Sequence, residues 1–210
     1  MTMIVALHLK AFVLVAADMR ETYLVNGEVV SVLSDEIQKL VEWSGGIATG
    51  NGYVPLLNDF KRKLSESHIT STDEIAEIAR SCSHNLPASQ SAWKQSTNWL
   101  FTYITDGPCG LTTRVAFIKS QSLEGVNVLE EGQSIIWANL PDYEEQLARL
   151  NGLLQPQVDL SDLESSLTYH LKILRDLFAY GASASVNKSV SKNFQCFFHA
   201  PEVSGFIPNT

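Results

Sequence analysis

Cysteine is scarce and poorly placed for pairing. The three residues, Cys82, Cys109 and Cys196, stand far apart with no CxxC spacing. An odd, scattered set excludes a disulfide framework and fits a reducing compartment. Basic charge is also short: 15 Lys and Arg face 23 Asp and Glu, giving a net charge of −8 and a pI near 5.1. That balance excludes a general nucleic-acid binder, which needs basic patches against phosphate. His8, His68, His84, His170 and His199 show no HxxxH or comparable ligand spacing, so no metal and no cofactor are expected. Long apolar runs are missing as well. The stretch Met3–Ala17 is interrupted by His8 and Lys10 and has no basic leader, unlike a signal peptide. No run reaches the ~18–20 apolar residues of a membrane span. A cytoplasmic protein without membrane or nucleic-acid partners is expected.

What is present suits a single domain over residues 1–210. Hydrophobic residues make up 45% and charged residues 18%, enough for one sizeable core. Two short apolar runs, Ile4–Leu9 and Phe12–Ala17, flank a Lys10-Ala11 step and predict a buried hairpin. A third extended segment, Tyr23–Val32, carries the turn signal Asn26-Gly27. Strand character resumes over Ile37–Trp43, and Gly45-Gly46 precedes the short run Ile47-Ala48.

The period then changes. Val54, Leu56, Leu57, Phe60 and Leu64 predict a helix over Tyr53–Leu64 with basic residues near its end. A second helix starts at Thr72, capped by Ser71 or Thr72, and residues 81–95 read as a loop or broken helix. Asn98–Thr105, Thr113–Lys119, Val126–Leu129 and Ser134–Ala138 read as strands. Helices over Pro141–Leu154 and Ser161–Tyr180 follow, the latter capped by Asp159 or Ser161, and Asn193–His199 is a last strand. Helices come in pairs rather than singly between strands, which disfavours a parallel βαβ fold. Two antiparallel sheets carrying helix pairs on their outer faces satisfy this order.

Threonine stands at position 2. Were Met1 removed, Thr2 would carry a hydroxyl and a free α-amine on one residue, the minimum for an N-terminal nucleophile. The front of the chain reads Thr2-Met-Ile-Val-Ala-Leu, then Phe12-Val-Leu-Val-Ala-Ala, then Ala17-Asp18-Met19-Arg20-Glu21-Thr22, with Gln38-Lys39-Leu40 further on. Ile47-Ala48-Thr49-Gly50-Asn51-Gly52 leads into the first helix, which ends Phe60-Lys-Arg-Lys-Leu64. These segments resemble the proteasome β-subunit superfamily of threonine peptidases, the bacterial HslV type especially, as a divergent member. The resemblance runs over roughly the first third of the chain.

The resemblance implies an α+β, four-layer αββα N-terminal nucleophile hydrolase fold and a set of site residues. Thr2 is the nucleophile with its amine as base. Lys39 lowers the pKa values of that hydroxyl and amine, and Asp18 keeps the lysine charged and oriented. Backbone N–H groups around Thr49 and Gly50 form the oxyanion hole. Thr22 pairs with an extended substrate, and Arg20 stands in the supporting shell. Where the family carries a Ser-Gly turn, this chain has Ala138-Asn139-Leu140. The acid expected after the last long helix is missing from residues 182–193, so Asn139, Asn187, Ser189 or Ser191 substitute as supports. Implied partners are a peptide or protein substrate, a homo-oligomeric ring and an ATP-driven unfoldase. Two other functions fit the same residues: a catalytically weak or inactive structural subunit, and a small-amide hydrolase outside a closed chamber.

Overall fold

The computed structural model describes residues 2–25, 28–85, 95–108, 110–120, 125–155, 162–183 and 188–208. It is an α+β fold with three antiparallel sheets and four helices among the described residues. The chain divides into two compact units, Met1–Lys39 with Glu130–Thr210, and Leu40–Leu129.

In the first unit, β1 (Ile4–His8) and β2 (Val13–Asp18) form a hairpin whose turn is closed by Leu9 N–H donating to the Phe12 carbonyl at 3.0 Å. Both strands are buried at every residue, which explains why they are apolar up to their last residues, His8 and Asp18. Around them lie β10 (Ser134–Trp137), β11 (Phe194–Ala200) and β12 (Val203–Ile207), in the order β10-β1-β2-β11-β12. β3 (Glu21–Val25) and β4 (Glu28–Ser34) make a separate two-stranded sheet. Met3, Val5, Leu7, Leu14, Ala16 and Cys196, alternating along their strands, enter one core. Helices α3 (Tyr143–Leu153) and α4 (Leu163–Gly181) complete it. Leu171, Leu174, Leu177 and Phe178 of α4 recur at helical spacing and bury their faces there. Phe178 stacks on Phe194 with ring centroids 4.4 Å apart.

The second unit holds the sheet β5-β6-β7-β8-β9, with β5 (Val41–Trp43), β6 (Gly46–Asn51), β7 (Asn98–Gly107), β8 (Gly110–Lys119) and β9 (Asn127–Val128). Its core joins Trp99, Phe101, Ala116 and Ile118 to α1 (Val54–Glu66) and α2 (Thr72–His84). Ser71 caps α2 by accepting from Glu74 N–H at 3.3 Å, while Glu74 accepts from Thr70 N–H at 3.1 Å. The first is the N-cap bond, and the second ties the third helical residue to the residue before the cap.

The structure departs from the sequence expectations in three places. Residues 36–40 are irregular, and only Val41–Trp43 is strand. α2 continues to His84, since Cys82 and Ser83 sit on its buried face; residues 86–94 lie outside the described part. β12 went unread because Val203-Ser-Gly-Phe-Ile207 has neither strict alternation nor a strong turn dipeptide before it. The caps Asp159 and Ser161 and the Asn26-Gly27 turn lie outside the described residues, and the N-cap seen for α4 is Asp162. Among the described residues no helix is long and apolar enough to cross a membrane.

Two stability outcomes follow from this core. Phe178→Ala removes a fully buried, stacked ring and should cost about 3–5 kcal/mol in urea unfolding. Burial pushes the His199 imidazole down to about 4, whereas an unfolded histidine titrates near ~6.5. Between those values the unfolded chain holds a proton that the folded chain lacks, so stability falls as pH drops through that window. His199→Gln should flatten the pH 6.5-to-4 decline by up to about 3 kcal/mol in pH-dependent denaturation.

Candidate active site

Asp18 is the last residue of β2 and its side chain is completely buried. A carboxylate there is tolerable only with partners, and it has three. Oδ1 accepts from Met3 N–H at 2.7 Å and from Lys39 Nζ at 3.0 Å. Oδ2 accepts from Arg20 N–H at 3.0 Å. The β1–β2 hairpin sets this up: Asp18 N–H donates to the Met3 carbonyl at 3.0 Å, so backbone and side chain grip the same residue. Met3 directly follows Thr2, and Thr2 itself is half-buried.

Lys39 lies in the irregular strap 36–40, with its side chain 11% exposed. Besides Asp18, its ammonium donates to the Arg20 carbonyl at 2.6 Å. Burial pushes the Lys39 amine below the ordinary lysine range, and the opposing pull of Asp18, Glu21 and Asp35 offsets part of that. Such an amine holds its proton less tightly and presents a desolvated cation to any neighbouring hydroxyl or amine. That is the property a lysine needs to assist a nucleophile.

Arg20 is held at every end. Its backbone spans Asp18 and Lys39, and its guanidinium forks onto Asp35 at 2.6 and 2.9 Å. Its third contact donates to the Lys188 carbonyl at 3.1 Å. Asp35 is held below the usual carboxylate range by that guanidinium. Ser191 is buried, donates to the Asn193 carbonyl at 2.7 Å and accepts from Asn193 N–H at 2.9 Å. The same carbonyl accepts from Met19 N–H at 3.2 Å, so Ser191 shapes the segment that lies against the end of β2. Ser189 is buried nearby in sequence. Asn139 is exposed just past β10, Thr22 sits half-buried on β3 opposite Val32, and Met1 and Asn187 lie outside the described residues.

Thr49 and Gly50 belong to the second unit, on β6 opposite Leu100 and Trp99 of β7. β5 ends opposite Ala48, so beyond that point β6 has a strand neighbour on one side. Gly50 has a packing reason to be glycine: a Cβ there would lie 2.4 Å from the Asn98 carbonyl oxygen and 2.5 Å from Leu57 Cδ2. Among the described residues no cluster of three or more His, Cys, Asp or Glu is arranged to hold a metal.

The structure thus gathers Asp18, Lys39 and Arg20 about the amide that follows Thr2. Sequence reasoning missed two contributors. Asp35 forks with Arg20, and Gln195 Oε1 accepts from Lys39 N–H at 2.9 Å. Neither belongs to a recognisable motif; only the alternation of β11 hinted that Gln195 stands out of the apolar face.

Asp18→Asn should expose how much the buried pair matters, because it leaves the Lys39 ammonium without its counter-charge. A loss of about 3 kcal/mol at neutral pH is expected from chemical denaturation.

No family model matches the chain, and no curated protein matches it. Among solved structures the fold is similar to that of an Anbu (Gly-1) mutant from Hyphomicrobium sp. strain MC1. The TM-score is 0.63 at 14% identity, covering 95% of this chain and 82% of that one. This corrects the resemblance drawn from the first third of the sequence to the proteasome β-subunit and HslV threonine peptidases. The likeness found is to Anbu. Motifs of a few residues around Thr2, Asp18 and Lys39 are too short to separate related families. At this identity the likeness carries the fold alone.

Proposed function

We propose that the chain is an N-terminal nucleophile hydrolase that cleaves peptide bonds with Thr2. The observation that carries this reading is the shared Asp18 Oδ1, which binds both the Lys39 ammonium and the amide of Met3. One buried carboxylate thereby fixes the cation and the residue bonded to Thr2. The reading requires that the bond before Thr2 be cut, because the free α-amine is the base.

In this mechanism the Thr2 hydroxyl attacks the scissile carbonyl and its proton passes to the α-amine. The Lys39 cation favours the deprotonated forms of both groups at neutral pH. Backbone N–H groups of Thr49 and Gly50 stabilise the oxyanion, which in other acyl-transfer enzymes is worth ~3–4 kcal/mol per donor. The amine returns its proton to the leaving group, and water then hydrolyses the Thr2 ester by the reverse path. Thr22 supplies backbone pairing to an extended peptide. Arg20 belongs to the supporting shell, and Asn139, Asn187, Ser189 or Ser191 stands in for the absent acid as support for the Thr2 amine. The four-layer αββα stacking of one domain over 1–210, assembly into a homo-oligomer with an unfoldase partner, and a cytoplasmic site of action belong to the same proposal.

Mass spectrometry of the purified N-terminus and hydrolysis of short fluorogenic peptides test it. Thr2 should be the first residue of active protein, and Thr2→Ala should abolish turnover. Lys39→Ala should lower kcat by roughly a hundredfold or more with little change in KM, since its charge acts on the nucleophile. Turnover by Thr2→Ala, or an active protein that keeps Met1, would rule the reading out.

A further inference from the structure

We infer that Gln195 is a positioning residue for the Lys39 ammonium, an inference that rests on the hydrolase reading for its catalytic meaning. Lys39 belongs to no helix or strand, so no ladder fixes its place. Backbone N–H groups of the strap bind two neighbouring segments: Ile37 N–H donates to the Met19 carbonyl at 3.0 Å, and Lys39 N–H donates to Gln195 Oε1 at 2.9 Å. The second bond acts on the lysine itself.

Gln195 is well placed to do this. It sits on β11 directly opposite Ala17, and its neighbour Phe194 is opposite Asp18. The ladder that fixes Asp18 on β2 therefore also fixes the oxygen that receives the Lys39 amide. Both ends of the 3.0 Å Asp18–Lys39 contact are referred to one rigid pair of strands, although residues 39 and 195 are 156 positions apart. Catalytic groups need this kind of support, because a lysine side chain left to itself samples many rotamers. Half-burial of Gln195 favours the bond over competition from water.

Trace labelling with acetic anhydride tests the role without relying on activity. In the full chain, acetylation of Lys39 is compared with that of exposed Lys10 and of Lys172 on α4. Gln195→Leu keeps the bulk and removes the acceptor. It should raise Lys39 labelling roughly fivefold, as expected for losing one ordinary hydrogen bond, with Lys10 and Lys172 unchanged. Gln195→Glu keeps an acceptor and should label like the parent. If the Leu variant does not fold, Gln195→Asn, whose amide is one carbon short, serves in its place. Equal Lys39 labelling in parent and Leu or Asn variants overturns the inference, as does a Glu variant that labels as heavily as the Leu variant. In peptide hydrolysis the Leu variant should lose kcat at constant KM and the Glu variant should recover it. If the processed parent cleaves no peptide, the hydrolase reading falls, while the labelling result still decides whether Gln195 positions Lys39.

Discussion

The buried carboxylate of Asp18 is the point on which the first unit's chemistry turns. It sits at the end of a central strand with no exposure, a position where an ionised group survives only if its oxygens are filled. Filling them draws in the start of β1 through Met3, the strap through Lys39 and the turn through Arg20. Three segments that are apolar, irregular and polar in sequence are thereby tied to one atom pair. Removing any one donor leaves part of the carboxylate's desolvation uncompensated, which is why these contacts are expected to be retained or lost together.

That arrangement also sets Lys39 in a buried place beside a counter-charge, with Nζ 3.0 Å from Asp18 Oδ1. Burial alone drives the amine toward the neutral form; the adjacent carboxylate, with Glu21 and Asp35 further out, opposes it. The balance leaves a desolvated cation at a fixed place. Arg20 reinforces it from the other side, because the Asp35 fork and the Lys188 carbonyl hold the residue whose own carbonyl receives the ammonium. The same residue so links the dyad to the segment after α4, where Ser191 folds its hydroxyl back onto Asn193.

Much of the fold was legible because its signals are local. The short apolar runs of β1 and β2 are buried throughout, and the 3.6-residue stripes of α1 and α4 face the core except at Val54, which is exposed at the start of α1. The paired grouping of helices between sets of strands likewise pointed to antiparallel sheets. Where the reading failed, the deciding force was not local. β12 is held by pairing with β11 rather than by its own composition, and the strap 36–40 looks like a strand in sequence but takes its place from bonds to separate segments, among them Met19, Asp18 and Gln195. The family resemblance went astray for a related reason: few residues carried it, all within the first third of the chain.

The sequence by itself determined a hydrophobic β-hairpin that ends in an acid, a threonine ahead of that hairpin and a lysine some twenty residues beyond the acid. Those are consequences of order along the chain. Only the tertiary structure decided that the acid would be buried, that the lysine would reach its Oδ1 and that Gln195 would fasten the lysine's backbone. Burial and contact across 156 positions depend on which strands pair and in what register. A one-residue slip of β11 against β2 would turn Gln195 to the other face. Local propensity contains no information about that register, whereas the packed core, by admitting one alternation of side chains, does.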